Sequence, residues 1–282
     1  MARPFLSLLL AGVASTAGLA LTWTGAFQYS LMATAYGLEP DPGAAALALV
    51  GVVLLGVAAW SLAVHWVGAL VVGSVHALLG LLALVVPFGN PFGGGIFSPV
   101  FQITRMLTTI DRSISEGATI FYFSGTALVV GAFLAGAALG IRSRRLSGWS
   151  SRKAVALSSS VGGVLLLAAS VLLVVAGGQF AQAIFQVMRY DGLLAALTVV
   201  AGVLAGVAGL LLRWSSLGAF LLGAVVLVTG AVLFLVPAAQ GYPGRLVGAY
   251  GLVMVAGVTF VGAALGGLAR PRTEVPDDPD AL

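Results

Sequence analysis

The sequence predicts an all-α polytopic membrane protein with eight transmembrane helices, arranged as two parallel four-helix repeats, and one short external amphipathic helix. Three observations predict this fold: an apolar composition, eight apolar stretches of bilayer length, and an internal repeat. Of the 282 residues, 60% are hydrophobic and 8% are charged. Soluble domains carry about a quarter charged residues, so this composition is typical of a chain embedded in lipid.

The eight apolar stretches are each long enough to cross a bilayer, which needs about 20 residues per helix. They do not alternate polar and apolar residues as the strands of a membrane barrel do, so helices are predicted. The predicted spans are residues 4–27, 44–62, 67–88, 118–141, 154–177, 193–212, 217–238 and 247–269.

The internal repeat joins residues 41–87 to residues 191–237, which match without a gap at 18 of 47 positions. Composition alone would give roughly one match in eight positions, so the similarity indicates a duplication. Four helices per repeat is an even number, so both copies enter the membrane in the same direction. The predicted organisation is a first repeat at 1–141, a basic linker at 142–153, a second repeat at 154–270 and a disordered tail at 271–282.

The first apolar stretch follows Arg3 and resembles a secretory signal. It is longer than a usual signal core, however, and residues 7–28 match the internal segment 158–179. A duplicated helix explains this match, so we interpret the stretch as a retained transmembrane helix.

Charge distribution predicts the orientation. Nine basic residues fall on the side of the linker and of both termini, and four fall on the other side. The positive-inside rule therefore places both termini in the cytoplasm of a bacterial-type plasma membrane. The net charge of +4 follows from these short segments and does not indicate nucleic-acid binding.

Four glycines form a small-residue motif that occurs in both repeats: Gly136 and Gly140 in the first, Gly262 and Gly266 in the second. Glycines four residues apart allow helix backbones to approach closely in lipid. We expect these glycines to form helix-packing faces, although a chain rich in alanine and glycine also produces such pairs by chance.

The segment 89–117 interrupts the repeat, because the first half is longer than the second by 24 residues after Pro87 (the register falls from 150 to 126). Apolar residues recur at helical spacing from Ile103 to Ile114, which predicts the external amphipathic helix. We expect it to bind a partner or ligand; the alternative is a solvated loop that caps the bundle. The candidate residues are Phe101, Arg105, Asp111 and Arg112.

Three further polar residues are candidates. His76 lies deep in a span, and its repeat equivalent is Val226. It is interpreted either as a ligand-binding or proton-responsive group or, preferably, as a neutral imidazole hydrogen-bonded to a nearby serine or backbone carbonyl. Asp41 and Asp191 match in the repeat; they suggest either an external cation or partner site or, preferably, helix N-caps.

The chemical inventory favours a non-catalytic protein. No acidic or basic residue lies in the middle of a predicted span, which argues against ion pumps and proton-coupled carriers. There is no cysteine, and two histidines on one face, about 16 Å apart along the axis, cannot hold one haem. We expect no metal or cofactor.

We therefore expect an accessory, scaffold or assembly subunit that contacts membrane lipids and, through residues 89–117, a membrane-protein partner. The alternative is a passive transporter or channel for a neutral solute or a lipid along the axis between the repeats. An intramembrane enzyme would require external carboxylates such as Asp41 and Asp111 to converge on one pocket.

Overall fold

The computed structural model describes residues 2–35, 41–85, 99–143, 152–187, 189–236 and 245–269. Throughout these ranges the regular elements are helices, and none is a strand. Seven of the described helices are long and apolar enough to cross a membrane, and an eighth apolar helix has 17 residues. This architecture is consistent with the predicted polytopic membrane protein.

The described residues form twelve α-helices. Short 3₁₀ turns follow the second and fourth helices, at Ser61–Ala63 and Leu107–Thr109. The helices are α1 (Ala2–Ala35), α2 (Pro42–Trp60), α3 (Trp66–Val85), α4 (Pro99–Met106), α5 (Arg112–Phe123), α6 (Thr126–Ser143), α7 (Arg152–Leu172), α8 (Gly178–Val187), α9 (Gly192–Leu211), α10 (Leu217–Leu235), α11 (Arg245–Ala249) and α12 (Leu252–Leu268).

Two predicted spans, 118–141 and 247–269, are wrong as continuous helices. Each is broken at a glycine with positive φ: Gly125 at +76° and Gly251 at +67°. A left-handed residue ends one helix and redirects the next, and glycine adopts this conformation without steric cost. The breaks fall at matching positions, so α6 and α12 begin at equivalent residues of the two halves.

Other predicted boundaries differ mainly in length. The helix α1 has 34 residues, about 51 Å, and therefore exceeds a hydrocarbon core of about 30 Å. The span predicted at 154–177 continues instead to Val187, because a π-helical segment, Leu173–Gly177, joins α7 to α8. The segments 86–98, 144–151 and 270–282 lie outside the described residues. Most of the predicted linker and all of the predicted tail therefore fall outside them as well.

The helices within the first half pack against one another in the same pattern as the helices within the second half. In the first half α1 packs against α2 and α3, and α3 packs against α6. In the second half α7 packs against α9 and α10, and α10 packs against α12. Between the halves, α6 lies along α9 and α12 lies along α2, while α6 and α12 meet at the centre.

Matching glycines make matching contacts within each half. A methyl group added at Gly131 would overlap the backbone of Ala77 in α3, and one added at Gly257 would overlap the backbone of Leu227 in α10. Residues 77 and 227 are themselves equivalent in the repeat. The same crossing of helices is therefore built at the same positions.

The central seam is closed by the candidate packing glycines and by two aromatic rings. Gly136 faces the carbonyl oxygen of Gly206, and its equivalent Gly262 faces the carbonyl oxygen of Gly56. The rings of Phe133 and Phe260 pack edge to face with their centres 4.6 Å apart, and both side chains are fully buried. The other two glycines of the motif continue these contacts: Gly140 along α9, and Gly266 along the end of α2.

We predict that Gly136→Ala and Gly262→Ala each destabilise the fold by about 1–3 kcal/mol, since the added methyl group forces two backbones apart. The measurement is thermal or SDS unfolding of the detergent-purified protein. Gly12→Ala is the matched control, because a methyl group there meets no atom within 4 Å. Equal stability of the three variants would contradict backbone contact at the seam.

Candidate ligand and partner site

The amphipathic segment forms two helices rather than the single helix that the apolar spacing predicts. Helix α4 begins at Pro99, and the chain breaks at Ile110 before α5. The break arises because Asp111 caps α5, accepting hydrogen bonds from the amides of Ser113 and Ile114. Residues 89–98 of the predicted segment lie outside the described residues.

Asp111 serves as an ionised cap. The hydroxyl of Ser113 donates to Oδ1 of Asp111. This hydrogen bond is the main cause that holds the pKa of the Asp111 carboxyl below its ordinary value, and the hydrogen bond from the Ser113 amide is the second. The carboxylate is exposed and stabilises the free amides at the start of α5.

A pocket of about 420 Å³ lies between α4, α5 and α8. This volume is in the range of about 300–1,000 Å³ typical of small-molecule sites. Two of the candidate residues, Phe101 and Arg105, line it, whereas Asp111 and Arg112 do not. The lining residues are Phe101, Arg105, Ser115, Glu116, Thr119, Ile120 and Phe185.

The two hydroxyl groups of the pocket already donate their protons to the protein. Ser115 Oγ donates to the carbonyl oxygen of Thr104 at 2.8 Å, and Thr119 Oγ1 donates to the carbonyl oxygen of Ser115 at 2.7 Å. Thr108 Oγ1 donates in turn to Ser115 Oγ at 3.0 Å. The hydrogen bond from Ser115 to Thr104 ties α4 to α5. Because both hydroxyl protons are already donated, the side chains of Phe101, Ile120 and Phe185 form the apolar walls of the pocket.

The charges of the pocket are unequal. Arg112 lies one helical turn before Glu116 in α5, and its Nε donates a hydrogen bond of 2.7 Å to the carboxylate of Glu116. Arg105 is exposed and makes no hydrogen bond or ion pair with any residue in the described ranges. The pocket therefore combines apolar walls with one uncompensated cation.

An exposed apolar stripe runs along the outer face of this segment. It consists of Ile103, Met106 and Ile110, with 51%, 70% and 73% of their surfaces exposed. The other apolar residues of the predicted helical face, Leu107 and Ile114, pack against the core instead. The segment thus presents apolar surface both inward to the bundle and outward.

His76 lies in a polar cluster within the first half. Its Nε2 lies 3.4 Å from Ser15 Oγ, and its Nδ1 lies 3.2 Å from the hydroxyl of Tyr122. A cavity of about 20 Å³, lined in part by Ser15, His76 and Thr259, adjoins it. This volume is enough for about one water molecule, so the cluster does not accommodate a larger ligand.

The polar cluster is specific to the first half. The residues equivalent to Ser15, His76 and Tyr122 are Leu166, Val226 and Gly248, none of which has a polar side chain. The helices of the second half therefore pack without these hydrogen bonds.

Asp41 and Asp191 cap α2 and α9. Asp41 Oδ1 accepts from the amide of Gly43 at 2.8 Å, and Asp191 Oδ1 accepts from the amides of Leu193 and Leu194 at 3.0 and 3.1 Å. Both residues thus act as helix N-caps, the interpretation preferred from the sequence. Asp41 and Asp191 are not among the lining residues of the two cavities described above.

Sequence reasoning missed Phe185 and Tyr122. Phe185 reaches the pocket from a helix far along the chain, and no local pattern indicates that contact. Tyr122 lies within a predicted span, where its polar hydroxyl in an apolar run was the available signal.

Comparison with protein-family models, with curated proteins and with solved structures finds no match to this chain.

We predict that His76→Val and Tyr122→Phe are coupled by about 0.5–1.5 kcal/mol in a double-mutant cycle of unfolding free energy, because each removes one partner of the same hydrogen bond. Ser170→Ala is the control, since its hydroxyl bonds only to the carbonyl of Leu166 in its own helix. A coupling between His76 and Tyr122 no larger than that between His76 and Ser170 would show that the bond does not form.

Proposed function

We propose that this chain is a non-catalytic accessory or assembly subunit of a bacterial-type cytoplasmic membrane, and that it contacts a membrane-protein partner through residues 89–117. The observation that carries the proposal is the exposed apolar stripe on α4 and the turn after it. The second half lacks residues equivalent to α4, so the scaffold does not require this surface.

The composition of the surface also supports a protein partner. Exposed charges of both signs, on Asp111 and Arg112, follow directly after Ile110 of the apolar stripe. Protein interfaces typically join an apolar centre to a polar rim. A helix face that only contacts acyl chains would not carry these charges.

The proposal includes eight transmembrane helices in two parallel repeats, with both termini in the cytoplasm. Its support is the matched helix contacts, the matched breaks at Gly125 and Gly251, and the distribution of basic residues. At the end of the bundle opposite α4, Arg142 lies 4.7 Å from the ring centre of Trp66, and Arg213 lies over Trp214. Basic and aromatic residues together are typical of a cytoplasmic membrane interface.

We predict that Ser147→Cys and Thr273→Cys are both protected from a membrane-impermeant thiol reagent applied outside the cell, whereas Tyr190→Cys is labelled. The chain has no cysteine, so each variant carries a single thiol. Tyr190 is 45% exposed and lies at the α4 end. Labelling of Ser147→Cys and Thr273→Cys on opposite sides of the membrane would contradict two parallel repeats.

We predict that a photo-crosslinking residue at Met106 or Ile110 forms a discrete adduct with one protein in the native membrane. Leu193 is the matched control, since it is 69% exposed at the same end of the bundle and lies in the second half. Ile110→Asp should abolish both the adduct at Met106 and co-purification of the partner, while the variant stays monodisperse. A partnerless particle isolated from native membrane, with no adduct, would refute the accessory role.

The alternative, passive transport along the axis between the halves, has weaker support. Phe133 and Phe260 fill the centre of the seam, and Gly136 and Gly262 bring the backbones into contact beside them. A solute could pass along this axis only if the halves separated, at the cost of these contacts.

A further inference from the structure

The pocket between α4, α5 and α8 is not used by the proposed protein contact. The exposed stripe consists of Ile103, Met106 and Ile110, and none of these three residues lines the pocket. Its volume of about 420 Å³ suits a ligand of many atoms rather than an ion.

The walls of the pocket favour an apolar ligand body. Phe101, Ile120 and Phe185 come from three different helices, and the hydroxyl protons of Ser115 and Thr119 are already donated within the protein. A ligand with many hydrogen-bond acceptors would find few free donors there. Burial of hydrocarbon against these side chains would contribute about 25 cal/mol per Å².

The charge of the pocket favours an anionic head group. Glu116 is ion-paired with Arg112 at 2.7 Å, whereas the guanidinium of Arg105 forms no ion pair with any of the described residues. Guanidinium groups bind phosphate and carboxylate through paired hydrogen bonds. A cationic or zwitterionic ligand would gain less from this arrangement.

The location of the pocket favours a ligand that arrives from the bilayer. Helix α5, which lines the pocket, leads directly into α6, a helix long and apolar enough to cross a membrane, so the pocket lies near one end of the apolar bundle, where lipid head groups meet acyl chains. An amphipathic molecule at that depth has both its head and its chain at the height of the pocket.

We propose that the pocket binds an amphipathic anion, an acyl chain with a phosphate or carboxylate head. The head group pairs with Arg105, and the chain lies between Phe101, Ile120 and Phe185. The proposal does not depend on the protein partner, because the pocket lining includes none of the three residues of the exposed stripe.

The test is native mass spectrometry of the full-length protein, delipidated in detergent and titrated with phosphatidylglycerol, with phosphatidylcholine of the same acyl chains, with oleate and with inorganic phosphate. We expect phosphatidylglycerol or oleate to bind at one-to-one stoichiometry. Arg105→Gln should weaken this binding about tenfold or more, and Arg105→Lys should weaken it less, because the charge remains while the paired hydrogen bonds are lost. Arg189→Gln is the control, since it removes an exposed arginine outside the pocket.

The choice of ligand identifies the source of the anion. Binding of phosphatidylglycerol alone indicates a membrane lipid, and binding of oleate alone indicates a free fatty acid. Equal binding of phosphatidylcholine, equal losses in Arg105→Gln and Arg189→Gln, or full competition by inorganic phosphate would each overturn the proposal. Failure here leaves the crosslinking result at Met106 unaffected, so the two proposals are tested separately.

Discussion

Backbone contact at glycine is the constraint on which the rest of the structure depends. Helices in lipid gain little from burying apolar side chains against one another, because the acyl chains are equally apolar. Close approach and dispersion must hold them together instead. Gly131 against Ala77, and Gly136 against Gly206, place main chains in direct contact, and their counterparts in the second half do the same. These crossings fix how helices within each half, and the two halves themselves, are placed relative to one another.

A scaffold held in this way makes its polar residues informative. Where both halves share a polar group, as with Asp41 and Asp191, the group caps a helix and serves the fold. Where only the first half has one, as with His76 or Arg105, the fold does not demand it. Under the proposed duplication, the second half serves as an internal reference for which polar residues the fold requires.

The sequence predicted the apolar helices and the caps well, because hydrophobic runs and the aspartate before a helix are local signals. It failed at Gly125 and Gly251, since one left-handed residue does not interrupt an apolar run. It also failed at the pocket: Phe101 and Arg105 lie on the segment that breaks the repeat, but the arrival of Phe185 depends on tertiary packing. The length of the α7–α8 helix was missed because a π-helical segment continues a helix without changing its hydropathy.

The pocket rests on a rigid base, which decides how well it can bind. Helix α5 is fixed to α1 because Gly117 presses against the ring of Trp23, leaving no room for a methyl group. Helix α4 is fixed to α5 by the hydrogen bond from Ser115 to the carbonyl of Thr104. These contacts fix the placement of α4 and α5 around the pocket, so under the proposed binding the exposed Arg105 side chain is the group whose ordering costs most, at about 0.5–1.5 kcal/mol.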